Sequence, residues 1–200
     1  MIETGPNPTY AERPNAQRNG WKTLRIEYPY VHPLGMFRVR RDHAIWPDGV
    51  ERPYAFIEVG PAIIIVPVTA SGEVVLIREF RYTVDAWMWE LPAGGTHDFY
   101  GDDLADLVRS ELREEIGGEA EMLEFVGLYR SGVGLIDQQF HIYLATDVRL
   151  GDNHLEPGEL IEIHPTPIDR ALAMVHSGEI IDGPSAFALL RCEPRLRAMR

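Results

Sequence analysis

The most informative segment of this sequence reads Arg109-Ser110-Glu111-Leu112-Arg113-Glu114-Glu115-Ile116-Gly117-Gly118. Apolar residues before and within it recur at the spacing of one helical face, and the glycine pair provides a C-terminal stop. The pattern predicts a helix over residues 102–116 with its apolar stripe turned toward a core. Glu111, Glu114 and Glu115 are three and four residues apart, so they can share another face of that helix.

Three carboxylates on one helix face repel each other unless something offsets their charge. Two carboxylates about 4 Å apart repel by about 4 kcal/mol at an effective dielectric of about 20. A divalent cation removes the repulsion, and ligands that are all oxygen suit Mg²⁺ or Mn²⁺. The alternative is a solvated surface in which Arg109 and Arg113 form ion pairs with the glutamates.

Short strands surround this helix on both sides. Turn signals and apolar runs predict strands at residues 63–68, 74–80, 87–91, 123–129, 140–145 and 160–164, and further helices at 168–176 and 182–190. Hairpins outnumber plausible parallel crossovers. The expected fold class is therefore α+β, with a mixed β-sheet between helices.

The first 60 residues differ in composition from the rest. Residues 1–20 hold prolines and asparagines with few large apolar side chains, which predicts a flexible N-terminal arm. Strand patterns at 23–28, 36–41 and 55–59 predict a small antiparallel β-subdomain over residues 21–59. Residues 60–200 are then the main domain.

Composition excludes several classes of function. The formal net charge is −12 and no basic stretch is evident, so we expect no nucleic-acid partner. No apolar run approaches the roughly 20 residues that cross a bilayer, and no secretory signal pattern opens the chain, so we expect no membrane partner. Cys192 is the only cysteine, which favours a cytoplasmic protein.

The stretch around the carboxylate helix resembles a known family signature. Residues 94–118 resemble the signature of the Nudix hydrolase superfamily, with Glu111, Leu112, Glu114, Glu115 and Gly117 in register. Trp89-Glu90-Leu91-Pro92-Ala93-Gly94 and Arg78-Glu79-Phe80-Arg81-Tyr82 resemble its ADP-ribose and nucleotide-sugar pyrophosphatase branch, and the resemblance extends over residues 62–190.

The resemblance implies a function and a substrate class. It implies Mg²⁺-dependent hydrolysis, with Mn²⁺ as a possible substitute, of the diphosphate in a nucleoside diphosphate sugar. ADP-ribose, cleaved to AMP and ribose 5-phosphate, is the first candidate, and a GDP-mannose type of nucleotide sugar is the rival. In this branch the N-terminal sheet commonly exchanges across a homodimer, so we also expect a dimer.

The resemblance also implies roles for individual residues. The metal ligands would be Glu111, Glu114, Glu115 and the backbone oxygen of Ala93, and Glu114 is also a candidate catalytic residue. The candidate substrate-binding residues are Arg78, Arg81, Glu90 and Ser131.

The sequence leaves the identity of the general base open. Counted back from the strand at 140–145, the position of the expected glutamate is Gln138, which cannot act as a base. Counted forward from Ser131, it is Asp137, which could equally cap a turn. Glu156, Glu159 and Glu162, in the following segment, could also supply a base or another metal ligand, and Glu159 is the one that we take as a candidate catalytic residue.

Three features of the sequence depart from the family signature. Ser110 stands where the signature has arginine, Asp102 stands where it has glutamate, and the loop before Asp102 is longer by one or two residues. Ser110, the lengthened loop and Gln138 motivate a second hypothesis, in which the chain is a Nudix-fold module that binds a nucleotide without hydrolysing it. The three retained glutamates favour the enzyme.

Overall fold

A computed structural model describes residues 19–96, 103–155 and 158–199 of the chain. The chain divides into two compact units. The first contains the described residues up to Pro61, together with Gly95, Thr96 and Arg130–Gln139. The second contains the other described residues. The predicted arm at residues 1–20 lies, apart from Asn19 and Gly20, outside the described residues.

The first unit is built on a three-stranded antiparallel sheet in the order β1-β2-β3, as the strand patterns predict. Its strands are β1 (Lys22–Val31), β2 (Phe37–Ile45) and β3 (Glu51–Val59). An ion-pair network is buried in this sheet. Arg40 contacts Asp42 at 2.6 Å and Glu58 at 3.4 Å, which offsets the cost of removing these charges from water.

The remaining elements form an eight-stranded mixed sheet and three helices. In chain order they are β4 (Ala62–Thr69), β5 (Glu73–Arg81), β6 (Ala86–Glu90), β7 (Ala93–Gly95), α1 (Leu104–Ile116), β8 (Gly118–Glu119), β9 (Met122–Arg130), β10 (Gln139–Leu150), β11 (Ile161–Pro167), α2 (Ile168–Ser177) and α3 (Gly183–Ala198). The main path runs β11-β5-β4-β10-β8, and β4 pairs with β10 in parallel.

Helices cover both faces of this sheet, which confirms the predicted fold class. Alternate residues of β4 and β5 point to opposite faces, so each strand contributes to two cores. Ile63 and Ile77 pack in one core with Leu112 and Ile116 of α1. Ile64 and Leu76 lie in the other, together with the buried residues of α2 and α3. Because β4 is buried on both faces, its sequence is a continuous apolar run.

The last helix extends beyond its predicted end at residue 190. α3 continues to Ala198 and includes Pro194. Cys192 and Leu196, which continue its apolar stripe, are fully buried, so packing offsets the hydrogen bond that the proline removes. At 16 residues α3 is the longest described helix, and no described helix is both long and apolar enough to cross a bilayer.

Candidate active site

The ends of α1 are fixed by local contacts. Asp103 is the N-cap residue, and its side chain accepts a hydrogen bond of 2.9 Å from the backbone N–H of Ala105. Gly117 ends the helix with φ 61°, in the left-handed region, and donates to the carbonyl of Arg113. Leu112 and its apolar neighbours anchor one face in the core, and this fixes the direction of the carboxylate face.

The turn after β6 contacts that carboxylate face. The N–H of Ala93 donates to Oε2 of Glu115 at 3.3 Å. Gly94 lies directly against Glu111, so closely that a methyl group at position 94 would overlap the carboxylate. The carbonyl of Pro92 accepts a hydrogen bond of 2.9 Å from Ile65 of β4, which ties the turn to the sheet. Glu111 and Glu115 are thereby held against one bend of the backbone.

Glu115 is the most strongly perturbed carboxyl group of this site. Its exposed fraction is only 6%. Burial raises the pKa of Glu115 well above its ordinary value, and the charges of Glu111, Glu79 and Glu159 raise it further. The hydrogen bond from Ala93 opposes this shift in part. Carboxylates from several segments of the chain therefore act on one another here.

A second group of charges lies on β5 and β6. Arg81 contacts Glu79 at 2.7 Å, and it binds Glu90 through two hydrogen bonds of 2.9 and 2.6 Å. Both carboxylates are buried. Burial raises the pKa of Glu79 to about 7; Arg81 opposes the shift, and the charges of Glu90 and Glu159 add to it.

Glu114 has a separate side-chain contact. The hydroxyl of Ser110 donates a hydrogen bond of 2.6 Å to Oε1 of Glu114. The backbone carbonyl of Glu114 accepts a hydrogen bond of 2.8 Å from the N–H of His154, so the chain after β10 is attached to the last turn of α1. The serine in the signature position of arginine thus contacts one of the three glutamates directly.

Arg78 and Arg81, both candidate phosphate ligands, lie on opposite faces of β5. Their positions have opposite parity, and Arg81 shares the α1 face with Ile77 and Glu79. The guanidinium of Arg78 lies 5.8 Å from the ring centres of both Trp87 and Trp89 and 3.8 Å from a carboxylate oxygen of Glu162.

The other candidate residues fall in different places. Asp137 and Ser131 belong to the first unit, whereas the carboxylates of α1 belong to the second. Oδ1 of Asp137 accepts a hydrogen bond of 3.0 Å from the N–H of Val59, so this side chain attaches its loop to β3. Glu159 belongs to the second unit and affects both Glu115 and Glu79 electrostatically. Asp102 lies outside the described residues.

Glu79 is the site residue that sequence reasoning missed. The sequence did contain an indication of it. Residues two apart on a strand share a face, and Glu79 stands two positions before Arg81, so the two side chains are expected on the same face of β5. Nothing local, however, indicates that this face meets the carboxylates of α1.

The donor set suits a divalent cation in chemistry, although no ion site is preformed. Among residues 19–96, 103–155 and 158–199, no three acidic, histidine or cysteine side chains already stand in a metal-binding arrangement. The groups at the bend are nevertheless all oxygen donors, from Glu111, Glu115 and the carbonyl of Ala93. Gly94 leaves room for the carboxylate of Glu111, and the charge of Glu111 acts on Glu115.

A cavity of about 270 Å³ lies at the C-terminal end of α1 and does not coincide with these carboxylates. It is lined by Arg113, Gly117, Glu119, Arg149, Leu150, Gly151, Asp152 and His154.

Comparison with known proteins places this geometry in a family context. The model of the NUDIX domain matches residues 58–182. The chain is 25% identical over 158 residues to the ADP-ribose pyrophosphatase of Bacillus subtilis (strain 168), covering 77% of this chain and 84% of the relative. It is 30% identical over 163 residues to the ADP-ribose pyrophosphatase of Mycobacterium tuberculosis (strain ATCC 25618 / H37Rv), covering 80% and 78%.

A solved structure described as an ADP compounds hydrolase has the same fold. It superposes with a TM-score of 0.78 at 19% identity, covering 89% of this chain and 95% of that structure.

Proposed function

The chain belongs to the NUDIX domain family, and on that premise we propose that it hydrolyses the diphosphate of ADP-ribose, with Mg²⁺, to AMP and ribose 5-phosphate. As a member of this family it is a hydrolase. Two relatives that it resembles over more than three quarters of its length are ADP-ribose pyrophosphatases, which supports this substrate. Mn²⁺ is expected to substitute for Mg²⁺, since both prefer oxygen ligands.

One observation carries the proposal: the carboxylates of Glu111 and Glu115 both meet the Ala93–Gly94 bend, where burial and the charge of Glu111 disfavour the ionised form of Glu115. Electrostatic repulsion of this kind is unfavourable in the metal-free protein and is relieved when a divalent cation binds. A nucleoside diphosphate is also negatively charged. A chain with a net charge of −12 needs a cation to bring this substrate to a cluster of carboxylates.

Glu111, Glu115 and the carbonyl oxygen of Ala93 would hold the cation, with Glu114 as a further ligand or catalytic residue. When bound, the cation neutralises phosphate charge and lowers the pKa of a bound water. The protein supplies the orientation. The helix end is fixed by Gly117, and the bend is fixed by its hydrogen bond to Ile65, so the donors approach from two rigid elements.

Glu159 is our preferred general base. It acts electrostatically on Glu115 and Glu79, so it is close enough to influence the charge of the site. Asp137, the other candidate, already accepts a backbone hydrogen bond from Val59, which supports its role as a structural cap. Ser131 stays a candidate for substrate binding, and its hydroxyl lies 3.5 Å from Oε1 of Gln138.

Arg81 and Glu90 are the proposed contacts to the substrate. Arg81 is 42% exposed at its side chain and lies on the α1 face, where it can reach a phosphate oxygen. Glu90 borders the bend at Ala93. The aromatic surroundings of Arg78, on the opposite face of β5, favour a packing role for that arginine.

The direct test is turnover of a substrate panel. Purified protein is incubated with Mg²⁺ and ADP-ribose, GDP-mannose, ADP-glucose or a dinucleoside polyphosphate, and products are separated by ion-exchange chromatography. AMP and ribose 5-phosphate from ADP-ribose, lost when EDTA is added, are expected. Preferred cleavage of GDP-mannose would mean that GDP-mannose, and not ADP-ribose, is the substrate. Tight binding without turnover in either metal would instead support the nucleotide-binding module that Ser110 and Gln138 suggest.

We further propose that the protein is a cytoplasmic homodimer that binds neither nucleic acid nor membrane. Exposed apolar residues on the first unit, among them Leu24, Tyr30 and Leu34, support a second copy as their partner. Sedimentation velocity tests this assembly. A monomer at micromolar concentration would refute the dimer while leaving the hydrolysis proposal intact.

A further inference from the structure

We propose that Glu79 is a positioning residue: together with Glu90 it clamps the guanidinium of Arg81 in the orientation in which Arg81 binds the diphosphate. This inference rests on the proposed function, because the diphosphate is the ligand assigned to Arg81 there. It adds a residue that does not touch the substrate but decides how a substrate ligand is held.

The clamp is formed by two paired strands. Glu79 and Arg81 are two residues apart on β5 and share its α1 face, and Glu90 lies on the same face of β6 because it pairs directly with Ile77. Nη1 of Arg81 lies 2.7 Å from Oε1 of Glu79. Nε and Nη2 of Arg81 lie 2.9 and 2.6 Å from the two oxygens of Glu90. The guanidinium is therefore held on two of its edges.

The number of donors explains what the clamp leaves for a ligand. A guanidinium has five N–H groups in a rigid fork. Glu90 accepts hydrogen bonds from two of them, at Nε and Nη2, and Glu79 holds Nη1 through an ion pair. N–H groups on both terminal nitrogens of Arg81 therefore remain for another acceptor, and the partly exposed side chain gives such an acceptor access. Two neighbouring donors on one planar group suit the paired oxygens of a phosphate.

The two carboxylates and the arginine depend on one another. Glu79 is 8% exposed and Glu90 is 6% exposed, so each needs a charged partner to remain ionised. Arginine has large rotamer entropy, which a ligand would otherwise have to overcome when it binds. Because the clamp fixes Arg81 before binding, the substrate does not bear that entropy loss.

The charge balance makes orientation the relevant effect. Glu79, Glu90 and Arg81 together carry one net negative charge when all are ionised, so the trio does not attract a diphosphate by charge alone. Its contribution is a directed pair of donors. Loss of Glu79 should therefore weaken substrate binding although it removes a negative charge, which is opposite to what simple electrostatics predicts.

The experiment compares Glu79→Ala and Glu79→Gln with Glu73→Gln, a matched control on the same strand whose carboxylate contacts only the Ser71 side chain among the described hydrogen bonds. For Glu79→Ala we expect KM for ADP-ribose to rise about tenfold with kcat nearly unchanged. Glu79→Gln should be intermediate, because its amide keeps a polar oxygen beside Nη1 of Arg81 but loses the charge of the ion pair. Glu73→Gln should leave both constants unchanged.

A second measurement reports the clamp without any turnover. In ¹⁵N NMR of the metal-free protein, the Nη signals of Arg81 should show restricted rotation about the Cζ–Nη1 bond in the wild type and free rotation in Glu79→Ala, because Glu79 contacts Nη1. Unchanged rotation, or unchanged KM in a folded Glu79→Ala protein, would overturn the proposal. If the wild type does not cleave ADP-ribose, the proposed function fails and the role in diphosphate binding fails with it, whereas the NMR result still decides whether Glu79 orients Arg81. Should Glu79→Ala not fold, Glu79→Gln decides the same question.

Discussion

The hydroxyl of Ser110 donates a hydrogen bond of 2.6 Å to the carboxylate of Glu114, one helical turn further along α1. A short hydrogen bond to an ionised acceptor restricts that side chain to one orientation. Arginine occupies the position of Ser110 in the signature that the helix resembles. In this chain a neutral and shorter side chain holds one glutamate instead.

Ser110→Ala should lower kcat/KM for ADP-ribose by about tenfold, because a hydrogen bond to a charged group contributes about 1.5–3 kcal/mol. Steady-state kinetics at saturating Mg²⁺ measures this change. Arg109→Ala is the control, since the neighbouring Arg109 is exposed and contacts only Asp106 among the described ion pairs. Ser110→Arg gives the opposite test: a large gain in activity would mean that serine holds Glu114 poorly.

Glu115→Gln should change activity and stability in opposite directions. Hydrolysis should fall by at least about a hundredfold, which corresponds to about 2.7 kcal/mol, because a proposed metal ligand is lost. Without divalent cation, the free energy of unfolding should rise, since the buried carboxylate no longer faces the charges of Glu111 and Glu79.

Kinetics and urea unfolding in EDTA measure the two effects. Glu121→Gln, a substitution at an exposed position on the surface, is the control. A Glu115→Gln protein that hydrolyses ADP-ribose normally would exclude Glu115 as a ligand.

Stability of the metal-free protein should fall as the pH rises. The ordinary pKa of Glu79 is 4.5 and the fold raises it to about 7, so between these values the folded state keeps a proton that the unfolded state has released. The stabilising contribution is therefore complete below pH 4.5 and is lost as the pH passes 7. The raised pKa of Glu115 acts in the same direction.

Urea unfolding at several pH values between about 5 and 8, in EDTA, measures this dependence. Glu79→Gln should make the slope shallower. Saturating Mg²⁺ should reverse the pH dependence, because the ion binds ionised carboxylates. At about 100 times its Kd, Mg²⁺ should raise the free energy of unfolding by about 2.7 kcal/mol. Metal-free stability that rises over this range would contradict the assignment of raised pKa values to these two groups.

Gly94→Ala should disturb the site without disturbing the core. The added methyl group would overlap the carboxylate of Glu111, which must then leave the bend. We expect weaker stabilisation by Mg²⁺, measured as a smaller shift of Tm, and a loss of hydrolysis. Gly134→Ala is the control, because no atom lies within 4 Å of its added methyl group. Normal Mg²⁺ stabilisation in Gly94→Ala would show that Glu111 does not need this position.

Arg81→Ala and Arg78→Ala should separate the two faces of β5. Arg81→Ala should raise KM for ADP-ribose by about tenfold or more, since it removes the proposed phosphate contact. Arg78→Ala should leave KM nearly unchanged and lower Tm instead, because Arg78 packs between Trp87 and Trp89. The reverse pattern would move the phosphate site to the opposite face.

The elements of this protein and its family follow from its sequence alone. The period of 3.6 in α1 and the apolar runs of β4 and β5 are local patterns, and each depends on which side chains within about 15 residues must leave water. The glutamates of α1 and the bend at Ala93 were recognisable for the same reason, since both belong to short segments with a fixed internal spacing.

Which of these segments contact one another depends on the tertiary fold. Glu79 joins Arg81, Glu90 and Glu115 because strand register and the packing of α1 bring one face of β5 to the carboxylate helix, and register depends on residues far apart in the chain. Likewise, α3 continues past residue 190 because its later turns find a core to cover. Burial then shifts the pKa of Glu79 and Glu115, because desolvation depends on how many distant segments surround a charge.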